Sequence, residues 1–343
     1  MIVILKPHPS DDEVRYIEER VRELGYEPHT IRGEVRTVVA AVGDETTHQS
    51  LEALLSIQVV ERVMPVQQKY KLISRETHPD DFVVNVGGVP VGGEVFQVIA
   101  GPCAVESQEQ VMAVAESVKG QGACLMRGGA FKPRTSPYDF QGLGEPALKM
   151  MARARDAFGL PVVTEVVRES DVELVARYAD MLQIGARNAL NYSLLEAVAD
   201  TGKPVLLKRG MAATVNEWLL AAEYIVKRGN RNVVLCERGI RTFETATRNM
   251  LDIGAVAIAK KETCLPVVVD PSHAAGRVDL VEPLAKAAIA AGADGLLVEV
   301  HPCPEKATSD QAQQFNFDGF TSFMEHIKPY IHLAGKKFDP TNR

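Results

Sequence analysis

The sequence predicts a parallel (β/α)8 TIM barrel preceded by a small α+β domain of ferredoxin-like βαββαβ order. From residue 97 onward, eight short apolar, β-rich runs alternate with helical stretches. Eight βα units in about 240 residues is the count and size of a closed eight-stranded barrel. A doubly wound open sheet usually carries a GxGxxG turn after its first strand, and none follows here. A change of rhythm near residue 66 sets the leading module apart. The predicted organisation is 1–66 as the ferredoxin-like domain, 67–96 as linker and β-hairpin, and 97–335 as the barrel.

Within the first domain, Ile2–Leu5 is a short apolar strand. Ser10 is an N-cap, and Asp11, Asp12 and Glu13 suit the positive end of a helix dipole. Val14, Ile17, Val21 and Leu24 recur at helical spacing until Gly25 stops the helix. Strands over 26–31 and 35–42 flank a turn at Gly33, a short helix spans 48–55, and a last strand spans 57–66. That order is ferredoxin-like. In DFVVNVGGVPVGGEVFQVIAG, paired glycines and a proline separate two apolar stretches, a hairpin signal. The barrel strands are predicted at 97–100, 123–126, 161–164, 180–184, 204–207, 233–236, 266–269 and 295–298. Helices with periodic apolar residues lie between them, among them 147–158, 194–199, 214–226 and 280–291.

Composition limits the function classes. The 343 residues, 46% hydrophobic and 24% charged, suit a soluble protein with a large core and exclude disordered and fibrous architectures. No run approaches the ~18 apolar residues of a membrane span. MIVILKPHPS has no basic leader and no small-residue cleavage site, so it reads as a first strand and not a signal peptide. Five widely spaced cysteines without a CxxC pair (Cys103, Cys124, Cys236, Cys264, Cys303) predict reduced thiols in a cytoplasmic protein. The net charge of −7 and the 6% aromatic share argue against nucleic acid as a partner.

Barrel enzymes carry their chemistry at the C-terminal ends of the strands. The first strand leads to Cys103, and the second to Arg127, Lys132, Arg134, Thr135 and Ser136. The third ends at Glu165, the fourth at Gln183 and Arg187, and the fifth at Lys208 and Arg209. The sixth leads to Glu237, Arg238 and Arg241, and the seventh to Asp270, Ser272, His273 and Arg277. The eighth leads to Glu299, His301 and, on its loop, Asp310. Two chemistries separate out. Arg127, Lys132, Arg134, Arg187, Lys208 and Arg238 would converge on one mouth of an acidic protein, which calls for polyanionic ligands. Any one of them could instead pair with Glu165, Glu237 or Asp270, but the set leaves surplus positive charge. Cys103, His273, Glu299 and Asp310 would form a divalent transition-metal site of borderline softness, not a calcium cage. The alternative for Cys103 is a small buried hydrophobe, the reading preferred for Cys124 and Cys236.

GPCAVES, LMRGGAFKPRTSPYDFQGLG, QIGARN, PVLLKRG, CERGIRTFE, VDPSHAAGR and VEVHPCPEKATSD together resemble the 3-deoxy-D-arabino-heptulosonate 7-phosphate (DAHP) synthases. The likeness is closest to the type I-beta branch, with an N-terminal ferredoxin-like (ACT-like) regulatory domain. It extends to MIVILKP and YKLISRE and so covers the whole chain. The resemblance implies condensation of phosphoenolpyruvate with D-erythrose 4-phosphate, the first step of the shikimate pathway. It implies Cys103, His273, Glu299 and Asp310 as ligands of one divalent metal ion (Mn2+, Fe2+, Co2+ or Zn2+). It further implies Arg127, Lys132, Arg187, Lys208 and Arg238 as the phosphoenolpyruvate clamp, and Arg134 and Thr135 as contacts to the sugar phosphate. Asp310 is followed by Gln311 where relatives commonly carry glycine. Lys132 is the candidate proton donor or water positioner, with Glu165 as its carboxylate partner; Lys132 gripping phosphate is the alternative. The resemblance also implies a homotetramer and feedback control by tyrosine or phenylalanine. The sister 3-deoxy-octulosonate 8-phosphate synthases share the barrel and the clamp, but KPRTS and the N-terminal module favour the four-carbon substrate. A non-catalytic sensor barrel would be expected to have lost part of the metal set or KPRTS, and both are present.

Overall fold

The computed structural model describes residues 1–33, 36–43, 48–64, 70–134 and 136–338. The chain divides into two compact units, Met1–Lys69 and Tyr70–Arg343.

The first unit runs β1 (Ile2–Leu5), α1 (Asp11–Glu23), β2 (Glu27–Arg32), β3 (Thr37–Val42), a 3-10 turn (Leu51–Ser56) and β4 (Val60–Met64). The sheet order is β2-β3-β1-β4, antiparallel throughout, as in a ferredoxin-like fold. Helix α1 starts at a full capping box: Ser10 Oγ accepts from the Glu13 amide, and Glu13 accepts from the Ser10 amide. Its Val14, Ile17 and Val21 bury a stripe against Val3, Leu5 and Val39 of the sheet. The short helix predicted at 48–55 is instead the 3-10 turn. Its two buried side chains, Leu51 and Leu54, are three residues apart, the spacing at which a 3-10 turn aligns them. Val35 and Val66, both predicted strand residues, lie outside the described residues.

The second unit opens with a hairpin, β5 (Val84–Val86) and β6 (Val89–Val91). Gly87 (φ 57°) and Gly88 (φ 94°) sit where a tight type I′ connection needs left-handed backbone. The eight units follow as β7 (Gln97–Gly101), α2 (Gln108–Gly120), β8 (Leu125–Arg127), α3 (Glu145–Phe158), β9 (Val162–Val166) and α4 (Val172–Tyr178). They continue with β10 (Met181–Ile184), α5 (Tyr192–Asp200), β11 (Val205–Lys208), α6 (Val215–Lys227), β12 (Val233–Glu237) and α7 (Ile253–Glu262). The last are β13 (Val267–Val269), α8 (Pro271–Ala275), α9 (Val281–Ala290), β14 (Gly295–Glu299) and α10 (Phe317–Leu333). β7 to β14 pair in parallel and close on themselves.

The strands are apolar along their length because both faces are buried. One set of side chains, including Val98, Met126 and Val162, packs against the helices. The other, including Ile99, Leu125, Val163, Leu206, Val234 and Cys236, fills the lumen. Val84, Val86 and Val91 of the hairpin join this lumen cluster, and Gln97 Nε2 donates to the Pro90 carbonyl at 2.8 Å. The hairpin therefore closes the floor of the barrel, and the mouth at the C-terminal ends stays open. Among the described residues, no helix is long and apolar enough to cross a membrane. All five cysteines are free thiols.

Candidate active site

The barrel register brings Cys103, His273, Glu299 and Asp310 to one place. One ligand atom from each lies within 4.8 Å of the others. Cys103 follows β7; its amide donates to Gln314 Oε1 at 3.1 Å, which orients the thiol. Cys103 Sγ lies 3.2 Å from Asp310 Oδ2 and 2.8 Å from Ser309 Oγ. His273 sits on α8, whose N-cap is Asp270. Its Nδ1 pairs with Asp270 Oδ2 at 2.7 Å, which leaves Nε2 to face Glu299 Oε1 at 3.4 Å and Asp310 Oδ2 at 3.9 Å. A carboxylate behind the far ring nitrogen is the usual support of a metal-binding histidine. Asp270 Oδ2 also takes Lys208 Nζ at 2.6 Å.

The donor set suits a divalent cation. Burial first, and Glu299 next, push the Cys103 thiol up to about 12, so a thiolate here calls for a neighbouring cation. Burial works against ionisation of Glu299 and Asp310, yet His273 and the neighbouring cations hold both carboxyls below their usual range. Burial presses the His273 imidazole below its ordinary value, with Asp270 pulling the other way. Sulfur, nitrogen and two carboxylate oxygens form a set of borderline softness, which fits a first-row transition metal.

Beside the tetrad lies a polar pocket. All six predicted cations, Arg127, Lys132, Arg134, Arg187, Lys208 and Arg238, line it, together with Glu165 and Gln183. Arg127 is held by β8, only 4% exposed, and donates to Glu299 Oε1 at 2.9 Å and to the Pro102 carbonyl at 2.7 Å. Its buried Nε has no partner among the described residues. Lys132 Nζ lies 3.1 Å from both the sulfur and the carbonyl of Cys103. Glycine is required at position 129, because a Cβ there would fall 2.6 Å from Lys132 Cδ and 2.7 Å from the Cys103 carbonyl. Burial raises the Glu165 carboxyl above its ordinary value, opposed first by Lys132 and then by Lys208. Glu165 accepts a hydrogen bond from Gln183 Nε2 at 3.3 Å. Lys132 thus acts on Glu165 through its charge, while its hydrogen bonds go to Cys103.

Some strand-end residues lie elsewhere. Arg209 turns away from the mouth into a buried pairing with Glu237 Oε2 (3.0 Å) and Asp252 Oδ2 (2.9 Å). His301 pairs with Glu106 Oε2 at 3.3 Å, and Arg277 pairs with Asp279. Neither Arg241 nor Ser136 is among the residues lining the pocket. Thr135 lies outside the described residues. Sequence reasoning missed Arg248, a seventh cation of the lining, and Gln313 and Gln314, which hold the tetrad from behind. Arg248 stands eleven residues past the end of β12, beyond the reach of a strand-end reading.

Asp310 adopts left-handed backbone (φ 52°), which aspartate tolerates better than most residues. Gln311 opens a 3-10 turn, Gln311–Gln313, so the loop turns at Asp310 itself and needs no glycine after it.

Comparisons with known proteins cover nearly the whole chain. Residues 67–332 match the DAHP synthetase I family, and residues 1–68 match the DAHP synthase ferredoxin-like domain. A phospho-2-dehydro-3-deoxyheptonate aldolase of Thermotoga maritima is 49% identical over 337 residues, 98% of this chain and 99% of its own. A crystal structure of the Thermotoga maritima phospho-2-dehydro-3-deoxyheptonate aldolase (DAHP synthase) superposes with a TM-score of 0.91 at 48% identity, covering 98% of this chain and 99% of that one. A 2-dehydro-3-deoxyphosphooctonate aldolase of Nitrobacter winogradskyi is 34% identical over 277 residues, 75% of this chain and 96% of its own. With its barrel and its leading module both matched in order, this chain belongs to the DAHP synthetase I family.

Proposed function

We propose that this protein condenses phosphoenolpyruvate with D-erythrose 4-phosphate and water, giving 3-deoxy-D-arabino-heptulosonate 7-phosphate and phosphate, the first step of the shikimate pathway. One observation carries the reading: a pocket lined by seven cations adjoins a thiol, imidazole and carboxylate tetrad.

Arg127, Lys132, Arg187, Lys208 and Arg238 grip the phosphate and carboxylate of phosphoenolpyruvate. Arg134 and Thr135 hold the phosphate of the sugar. Holding two anions side by side against their repulsion is the electrostatic and proximity contribution of this cluster. C3 of phosphoenolpyruvate attacks the aldehyde carbon, the aldehyde oxygen takes a proton, and water adds at C2 with loss of a proton. The resulting phosphohemiketal then releases phosphate to leave the ketone. Lys132, between the two anion sites, moves or positions these protons, and Glu165, whose carboxyl burial raises above its ordinary value, is its partner. Cys103, His273, Glu299 and Asp310 hold a divalent cation of the Mn2+, Fe2+, Co2+ or Zn2+ class. When bound, such an ion supplies Lewis-acid polarisation of the aldehyde.

The Arg134→Ala variant tests the substrate assignment. Loss of a charged hydrogen bond worth about 1.5–3 kcal/mol predicts a roughly 10- to 150-fold rise in KM for erythrose 4-phosphate, with KM for phosphoenolpyruvate moved far less. Equal losses for both substrates would remove the assignment. The leading module confers feedback inhibition by tyrosine or phenylalanine in a cytoplasmic homotetramer. Tyrosine or phenylalanine should lower turnover of the full chain and leave a chain lacking residues 1–66 unaffected; equal turnover of the full chain with and without them contradicts this.

A further inference from the structure

Each carboxylate of the tetrad turns one oxygen toward the cluster and has the other held from outside. Asp310 Oδ2 faces Cys103 Sγ, while Oδ1 accepts from Arg248 Nη1 at 3.1 Å. Glu299 Oε1 faces His273 and also accepts from Arg127 Nη1 at 2.9 Å, while Oε2 accepts from Gln313 Nε2 at 2.7 Å. The two outer contacts converge on one atom, because Arg248 Nη1 also donates to Gln313 Oε1 at 3.1 Å. Gln313 is only 2% exposed. With its carbonyl taken by the guanidinium, the amide can present only its NH2 end to Glu299.

The chain is built to deliver this arginine. Arg248 and Asn249 lie near the end of the excursion between β12 and α7, and their amides donate to the carbonyls of Ala275 and Ala274 at 3.0 and 2.8 Å. Asn249 Nδ2 donates to the His273 carbonyl at 3.1 Å. A Cβ on Gly276 would fall 2.5 Å from Arg248 Cβ, so a glycine after α8 lets the arginine stem lie against the helix that carries His273. The excursion thereby braces His273, Asp310 and, through Gln313, Glu299.

We propose that Arg248 is a positioning residue for the metal centre: it fixes Asp310 directly and Glu299 by way of Gln313, so that each offers one oxygen to a divalent cation and the ion is released slowly. This rests on the metal reading above. Two effects oppose each other when the arginine is removed. Its charge repels a cation, so loss would tighten binding; but the side chain is 38% exposed and grips the outer oxygen of Asp310, where solvent screens the repulsion. Partners that orient metal ligands from behind typically change affinity by about 10- to 100-fold, so orientation wins.

The test uses the full-length protein loaded with Co2+, the cobalt–thiolate charge-transfer absorbance reporting occupancy and its decay in excess EDTA reporting release. In Arg248→Ala the band should form, which shows Cys103 still in place, but bind about tenfold more weakly and decay at least about tenfold faster. Gln313→Met should release faster too. The double variant should fall short of the product of the single effects, since Arg248 acts partly through Gln313. Arg248→Lys, which keeps a donor and the charge, should fall between wild type and Arg248→Ala and covers the case in which the alanine variant does not fold. Release within about twofold of wild type in both Arg248 variants overturns the inference and leaves the metal centre standing. A wild type that binds no cobalt removes both.

Discussion

The Cys103→Ser variant is expected to lose at least about three orders of magnitude in turnover, together with most of its bound metal. Lewis-acid assistance is worth several kcal/mol, and each 1.36 kcal/mol is about tenfold in rate. The sulfur is the soft member of the tetrad and lies within 3.2 Å of the Asp310 carboxylate. Burial keeps it protonated up to about 12 in the absence of a cation, so a metal ion is what would draw the proton off. A serine hydroxyl surrenders its proton far less readily and presents a hard, shorter donor. The buried serine hydroxyl has Ser309 Oγ and Asp310 Oδ2 as hydrogen-bond partners, so unfolding stability should change by less than about 1.5 kcal/mol. Turnover measured beside metal content by elemental analysis checks this. Full activity after exhaustive EDTA treatment, with the serine variant equally active, would contradict a metal role.

Arg127→Ala should damage both stability and chemistry. Arg127 and Glu299 are 4% and 0% exposed at the side chain, and breaking a buried pair leaves an uncompensated charge at a cost of about 3–5 kcal/mol. Burial opposes ionisation of Glu299, and His273 and then Arg127 overcome it, so its folded-state value sits below the ordinary one. A carboxyl depressed in this way adds stability above its unfolded value near about 4.3, and that stability is lost as pH falls through the folded value. Removing Arg127 shrinks the depression. Urea unfolding should therefore show lower stability at neutral pH and an acid-unfolding midpoint moved to higher pH. KM for phosphoenolpyruvate should rise as well if Arg127 belongs to the proposed clamp, of which it is one of the deeply buried cations. An unchanged acid midpoint with weakened substrate binding alone would confine Arg127 to the clamp.

The barrel was legible because its strands are apolar on both faces and end abruptly in charge. The bodies 204–207 and 233–236 read as strands from composition alone, and Lys208 and Arg238 mark their tips. The four tetrad residues lie on separate stretches of chain and became neighbours only through closure of the sheet, so predicting them as one group depended on assigning eight strands in the right order. The support behind them was illegible for a different reason. Arg248, Gln313 and Gln314 lie in stretches with no period, and their roles come from packing of one excursion on α8 and of one loop on Cys103. Arg209, a strand-end residue outside the predicted cation set, lies apart because neighbouring residues of a strand end face opposite sides: Lys208 points to Asp270, and Arg209 points to Glu237.

The most direct measurement supplies phosphoenolpyruvate with erythrose 4-phosphate or with arabinose 5-phosphate, each with and without added Mn2+ after chelation, and follows phosphoenolpyruvate loss and the product formed. The expected result is metal-restored formation of the seven-carbon product from the four-carbon sugar, with kcat/KM at least about 100-fold above that for the five-carbon one, because a phosphate site spaced for the shorter sugar misplaces the aldehyde of the longer one. Equal or better turnover of the five-carbon sugar, or no consumption of phosphoenolpyruvate with either, would contradict it.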